Sequence, residues 1–389
     1  MKYQIKLLNS ISPKIKPILQ AERYQVAADI ENPDAILLRS YSLHGYAFGK
    51  DLVAVARAGA GVNNIPVEEC SKAGIVVFNT PGANANAVKE LVLCGMLLTG
   101  RRVVEGIEWL GTLSCDGTDV EREVEQGKKQ FVGPEMADKK LGVVGLGAVG
   151  VQVANAAHYG LNMQVFGYDP YISVAAAWSL SRSVIRASSL EQLFAECDYL
   201  TLHLPLTQKT EGIIGVKELS AMRDKAVLLN FARGGLVEDS AVLEALATGR
   251  LRAYVTDFPN ERLLGVEGVL AIPHLGASTP ESEEKCAVMA AQQLQNYLED
   301  GNIRNSVNLP ECDFPRTSVH RVCIINRNVT NMVGQIGTLL AEYNHNIDHM
   351  INKSKGDWAY TLLDLSTRPG SECVARIAAI EGVVRVRVI

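Results

Sequence analysis

Two series of apolar runs alternating with helical segments, then a shorter strand-helix-strand-strand-helix-strand series, predict an α/β chain. The fold class expected is two doubly wound parallel-sheet domains followed by a small C-terminal ferredoxin-like βαββαβ domain. A length of 389 residues leaves room for more than one core. A stretch at 301–315 with two prolines and several Asn sets the last series apart.

In the first series, apolar runs at 5–8, 35–38, 52–55 and 75–78 read as strands with helices between them. An apolar helix at 89–98 and a charged stretch at 101–126, helix and then loop, carry the chain between domains. The second series has strands at 141–144, 164–168, 199–202, 226–230, 253–256 and 269–272, six strands of one doubly wound sheet. A long amphipathic helix at 281–298 precedes the linker. The last series reads as strand 319–325, helix 333–343, strands 346–353 and 358–365, helix 372–379 and strand 383–388.

Composition narrows the function. With 38 basic and 43 acidic residues the net charge is −5, and no segment concentrates Lys and Arg, which argues against general nucleic-acid binding. Apolar residues at 47% and charged residues at 21% exclude disorder as the dominant state. The eight cysteines are scattered without CxxC or metal-ligand spacing, so they read as reduced thiols of a cytoplasmic protein, with no metal site. The first residues lack a secretory signal pattern. The segment 141–168 contains no Asp, Glu, Lys or Arg, but its Gly and Asn residues, Gln152, Gln164 and His158 break it into strand, turn, helix and strand. It is a buried unit, and no membrane span is expected.

Gly145-Leu146-Gly147-Ala148-Val149-Gly150 follows one of these strands and opens a helix. Gly145 allows the turn, Gly147 lets backbone approach a pyrophosphate, and Gly150 lets helix pack on strand, with phosphate on the helix N-terminus. Asp169 ends the next strand, 19 positions after Gly150, where an acid accepts ribose hydroxyls. No Arg follows at 170–172 to receive a 2′-phosphate, so NAD is expected over NADP. A plain turn with a capping Asp is the simpler alternative.

Arg233, Glu261 and His274 each lie just after a strand of this second sheet, where open α/β sheets bind ligands. A hydroxyl that gives up hydride must also give up a proton, which His accepts; a carboxylate behind the imidazole orients it. Arg clamps a substrate carboxylate and polarises the developing carbonyl. Read singly, each is a turn or surface residue; the combination is what points to chemistry.

The Gly145–Gly150 loop, Ala232-Arg233-Gly234-Gly235 and Pro273-His274-Leu275-Gly276-Ala277-Ser278-Thr279 together resemble the D-2-hydroxyacid dehydrogenase family. The resemblance covers nearly the whole chain. It implies that Arg233 binds the substrate carboxylate and carbonyl oxygen, that Glu261 pairs with the imidazole, and that His274 exchanges the proton. Ala148, Val149, Asp169, Pro205, Thr210, Phe231 and Asp257 match cofactor-contacting positions. Arg39, Ser40 and Arg57 match the family's phosphate and substrate loops, and Asn84 a substrate-contacting loop. From about residue 319 onward the chain is similar to an ACT regulatory domain, with Asn328 and Asn346 as amides for an L-serine effector. The domains implied are 1–94 with 283–312 for substrate, 95–282 for NAD, and 317–389 for regulation.

There are departures. The family's Asp-Val-Phe-x-x-Glu-Pro is here Asp257-Phe258-Pro259-Asn260-Glu261-Arg262, one residue tighter and without the Pro. In the ACT-like loop, Asn328-Val329-Thr330-Asn331 replaces Asn-Arg-Pro-Gly, and Asn326 stands where some members have His. The activity implied is NAD-dependent oxidation of 3-phosphoglycerate to 3-phosphohydroxypyruvate at the entry to serine synthesis, by a homodimer or homotetramer. Competing readings are a reductase of glyoxylate, hydroxypyruvate or another 2-keto acid, and an NAD-sensing binding protein without catalysis.

Overall fold

The computed structural model describes residues 2–113 and 119–389; Cys115 and part of the 101–126 stretch lie outside the described residues. The chain divides into two compact units, Met1–Asn84 with Pro280–Ile389, and Ala85–Thr279. The helix Ala85–Arg101 belongs to the second unit, whereas the sequence reading drew a boundary at 94.

The first unit opens with five parallel strands: β1 (Tyr3–Leu8), β2 (Tyr24–Ala27), β3 (Ala35–Leu38), β4 (Ala54–Arg57) and β5 (Val76–Phe78), in the order β2-β1-β3-β4-β5. The regular helices expected between these strands are largely replaced by loops. Only a 3-10 turn, Pro13–Ile15, and a six-residue helix, Val67–Lys72, interrupt them. Asn9, Pro13, Pro17, Asn32, Pro33, Gly45 and Gly49 break helical continuity. The short strand β2 was not expected, because its four residues carry too weak an alternation.

Among its described residues the second unit holds seven parallel strands: β6 (Lys140–Val144), β7 (Gln164–Tyr168), β8 (Ile185–Arg186), β9 (Tyr199–Leu202), β10 (Ala226–Asn230), β11 (Leu251–Thr256) and β12 (Val269–Ala271). Their order, β12-β11-β10-β9-β6-β7-β8, reverses direction beside β6, the topological switch point of a doubly wound sheet. The two-residue β8 was too short to be read from sequence. Leu141, Val143, Val227, Leu229 and Val255 pack beneath one set of helices, and Leu200, Leu202 and Leu228 beneath the other. Burial on both faces makes these strands continuous apolar runs.

The C-terminal part of the first unit is an antiparallel sheet of β13 (His320–Arg327), β14 (Ile347–Lys355), β15 (Trp358–Leu365) and β16 (Val383–Val388), ordered β14-β15-β13-β16. With helices Met332–Glu342 and Ser371–Ala378 on one face, this is the ferredoxin-like βαββαβ arrangement. The other face is not open. Cys323, Ile325, Tyr360 and Leu362 join a core with Ala290, Leu294 and Tyr297 of helix Pro280–Asp300 and with Ile5 and Leu37.

The stretch read as a linker is tied down by a buried cation. Arg321 pairs with Asp364 through two contacts, 2.6 Å and 2.9 Å, and donates to the carbonyls of Asp300, Phe314 and Pro315. Both side chains are fully buried, where a charge is tolerated only when paired and hydrogen-bonded.

Candidate active site

In a parallel sheet every strand delivers its carboxyl end to the same edge, and the second unit gathers its polar residues there. The loop after β6 supplies the first group. Gly145 has φ +91°, and a Cβ there would lie 2.6 Å from the carbonyl oxygen of His203; a Cβ on Gly150 would lie 1.9 Å from that of Gly145. Only glycine fits either place. Nothing lies within 4 Å of a Cβ placed on Gly147, the residue that caps helix Ala148–Leu161, so the space over that helix start is open to a phosphate.

Asp169 follows β7. Its Oδ2 accepts the Leu146 N–H at 2.8 Å and its Oδ1 accepts the Tyr171 N–H at 2.8 Å. Each oxygen keeps lone-pair capacity for a ribose hydroxyl, and the carboxylate is already oriented by the glycine loop. After β9, Thr210 Oγ1 donates to the Pro205 carbonyl at 2.6 Å and accepts the Thr207 N–H at 2.8 Å, which closes the 205–210 loop. His203, unnoticed in the sequence, has Nε2 3.1 Å from Thr201 Oγ1, and burial pushes its pKa down to about 3, which keeps it neutral. Phe231 is buried and packs against Gly95, so its side chain serves the core.

The turn after β10 carries Arg233. Asn230, fully buried, organises it: its Oδ1 accepts the Ala232 and Arg233 N–H groups at 3.2 and 3.3 Å, and its Nδ2 donates to the Arg233 carbonyl at 2.9 Å. Arg233 Nη1 donates to the Ala232 carbonyl at 2.6 Å. Beyond β11, Asp257 is 1% exposed; its Oδ2 accepts the Gly276 N–H at 3.1 Å, while its Oδ1 has no partner. Burial raises the Asp257 pKa, against the Gly276 N–H and the positive charges of His274 and Arg233, which lower it. Phe258 and His274 have ring centroids 4.6 Å apart, so the loops after β11 and β12 meet.

Glu261 is exposed, and among the described residues its side chain has no hydrogen bond or ion pair with His274 or any other group. The structure thus brings Arg233, Asp257 and His274 into one electrostatic neighbourhood and leaves Glu261 outside those contacts. Neither Asn230 nor Phe258 stood out in the sequence, since a buried Asn and a loop Phe carry no pattern of their own.

In the first unit, Asn9 accepts the N–H groups of Arg39, Ser40 and Tyr41 at 3.3, 3.0 and 2.7 Å. Arg57 closes the same loop: Nε donates to the Arg39 carbonyl at 2.9 Å and Nη1 to the Gly61 carbonyl. Arg39 Nη1 lies 2.6 Å from Glu283 Oε1. Asn84 is half-buried just before helix Ala85–Arg101. Asn328 and Asn346 flank opposite ends of β14, Asn328 donating to the Gly356 carbonyl at 3.1 Å and Asn346 to Asp348 at 2.9 Å. A cavity of about 160 Å³ beside Asn328 is also lined by Asn326, Asn331 and Asn352. Asn326 is buried with an unpartnered Oδ1.

Among the described residues no His/Cys/Asp/Glu group could hold a metal ion, the seven described cysteines are free, and no helix is long and apolar enough to cross a membrane.

Comparison with known proteins agrees with this layout. The family model for the D-isomer specific 2-hydroxyacid dehydrogenase NAD binding domain matches residues 107–276. A hydroxypyruvate reductase of Thermotoga maritima is 33% identical over 259 residues, covering 64% of this chain and 79% of that protein. A D-3-phosphoglycerate dehydrogenase of Methanocaldococcus jannaschii is 32% identical over 319 residues, covering 79% of this chain and 57% of its own length. The chain spans 49–58% of the length of this and three other phosphoglycerate dehydrogenases it matches. Among solved structures, the NAD+-bound 3-phosphoglycerate dehydrogenase of Entamoeba histolytica is 26% identical with a TM-score of 0.61, over 79% of this chain and 99% of that one. The family match falls on the unit that carries the glycine cradle, Asp169, Arg233 and His274, and the chain belongs to the D-isomer specific 2-hydroxyacid dehydrogenase family.

Proposed function

We propose that the chain oxidises 3-phospho-D-glycerate to 3-phosphohydroxypyruvate with NAD, the first step of serine synthesis. The observation that carries the dehydrogenase chemistry is the grouping of Arg233, Asp257 and His274 at the same carboxyl edge of the sheet that bears the glycine loop. The Gly147 opening and the oriented Asp169 carboxylate fit a dinucleotide. NAD, when bound, supplies the hydride acceptor. Arg233 holds the substrate carboxylate and draws electron density toward the C2 oxygen as it becomes a carbonyl. His274 takes the hydroxyl proton as hydride leaves C2, so the two electrons and the proton leave separately and the charge on oxygen never develops fully. Asp257 keeps negative charge near the imidazolium and offers its unpartnered oxygen as an acceptor; Glu261 takes the imidazole-orienting role only if its loop moves.

The phosphate of the substrate is assigned to Arg39 and Arg57, with Ser40 and Asn84 on the adjoining loops. Their joined loop supports a phosphorylated acid, because two guanidiniums recognise a dianion better than a neutral hydroxymethyl end. The likeness to a hydroxypyruvate reductase and the Glu283 carboxylate on Arg39 favour a second reading, an unphosphorylated 2-keto acid reductase. Initial rates with NAD and a panel of hydroxy acids, with and without phosphate, separate the two. A gain in kcat/KM from phosphate supports the first; no gain overturns it.

The C-terminal sheet is assigned as an ACT domain in a cytoplasmic homodimer or homotetramer. Asn328 and Asn346 sit at opposite ends of one strand, so a shared L-serine site needs Asn328 of one chain and Asn346 of another. L-serine is expected to lower activity; unchanged rates with serine overturn this assignment.

A further inference from the structure

Arg39 carries an internal counter-ion. Its Nη1 lies 2.6 Å from Glu283 Oε1, both side chains half-open to solvent at 36% and 45%. Among the described residues the Arg39 guanidinium has no other side-chain partner, whereas its backbone is held firmly by Asn9, Asn64 and Arg57. The loop position is therefore set by contacts to its backbone that do not involve Glu283, and only the tip of Arg39 is set by Glu283. Glu283 belongs to the first turn of helix Pro280–Asp300, where the helix dipole favours an acid without any pairing to Arg39. An exposed pair of this type contributes little to folding.

We propose that Glu283 is a specificity-determining residue, an internal competitor that the distal anion of the substrate must displace from Arg39 or share it with. The inference rests on the assignment of Arg39 to the distal end of a 2-hydroxyacid. A phosphate dianion seated on Arg39 comes within one guanidinium width of the Glu283 carboxylate, and like charges at that distance repel. A neutral hydroxymethyl end meets no such repulsion. Glu283 thus lowers the preference for a phosphorylated acid below what two arginines alone would set. A helix-end acid without this role would affect all substrates alike, which separates the two accounts.

The test uses the full chain and the Glu283→Gln variant, which keeps shape and removes charge. Calorimetric titration with inorganic phosphate and with 3-phosphoglycerate is compared with initial rates, NAD present, on 3-phosphoglycerate and glycerate. Glu283→Gln is expected to bind both phosphorylated ligands about two- to fivefold tighter, the range an exposed pair is worth. The kcat/KM ratio of 3-phosphoglycerate to glycerate should rise by a similar factor. Added salt should narrow the difference, and Glu283→Gln combined with Arg39→Ala should abolish it. Unchanged or weaker phosphate affinity, no phosphate binding by either protein, or an equal gain on glycerate overturns the inference. If the native chain oxidises no hydroxyacid, the functional assignment fails, yet the phosphate titrations still decide the role of Glu283.

Discussion

Replacing Asp364 by Asn probes the buried ion pair that joins the C-terminal sheet to the end of helix Pro280–Asp300. Burial pushes the Asp364 carboxyl up, but hydrogen bonds from Arg321 and from the Thr317 N–H and hydroxyl overcome it and bring the pKa from 3.8 down to about 2. A pKa depressed on folding contributes stability that is fully present above 3.8 and is lost as pH falls toward 2. That drop corresponds to about 2 kcal/mol. Asp364→Asn leaves the Arg321 charge buried without a counter-charge, which costs about 3–5 kcal/mol at neutral pH. The readout is amide hydrogen exchange at Ile324 and Leu362, corrected for intrinsic rates, because these buried strand positions exchange only when the sheet and the core packed on it open. The native protein should exceed the variant by that margin at pH 7, with the gap narrowing by about 2 kcal/mol as pH falls through 4 toward 2. Replacing both partners, Arg321→Met with Asp364→Leu, should restore most of the loss, since an apolar pair of similar size packs without a desolvated charge. A gap that stays constant with pH, or a double variant as unstable as the single one, refutes the reasoning.

Three further outcomes follow from the second unit. Asp169→Ala should weaken NAD binding about tenfold or more, since a charged hydrogen bond is worth about 1.5–3 kcal/mol, and should narrow the preference over NADP; equal affinity for both cofactors in the native protein, by fluorescence titration, contradicts the assignment. His274→Ala should cut turnover by ~10²–10⁴ with NAD affinity kept, and undiminished turnover removes His274 from the proton step. Asp257→Asn should lower activity while raising thermal stability at neutral pH, because the buried carboxylate has a raised pKa and costs stability only where it is ionised. This stabilisation should grow as pH rises through the Asp257 pKa, and a variant that loses stability at pH 7 refutes the burial argument.

Much of the frame was readable before any coordinates. The spans of β7, β9, β10 and β15 coincide with the apolar runs, because strands buried on both faces leave an uninterrupted signal. The cofactor loop was equally legible, since the roles of Gly145 and Gly150 are local: each approaches a backbone carbonyl too closely for any Cβ. Short elements were not readable, as β2 and β8 have too few residues to establish a period.

What only the tertiary structure decided is the partnering of polar groups. The sequence singles out Arg39, Asp257 and Glu261 through motifs but gives no partner for any of them, and it leaves Glu283, Arg321 and Asp364 as ordinary charged residues. Folding buries Asp257 next to the Gly276 N–H, leaves Glu261 in solvent, sets Glu283 against Arg39 and closes Arg321 on Asp364. These pairings join residues 19, 244 and 43 positions apart. Their energies depend on burial and on distances of a few ångströms, quantities that chain order does not carry. Apolar periodicity and glycine spacing are properties of neighbours along the chain, so sequence alone determined the longer strands of the sheets and the dinucleotide loop; charge pairing is a property of neighbours in space, and only the fold decided which carboxylates are buried or paired and which face solvent.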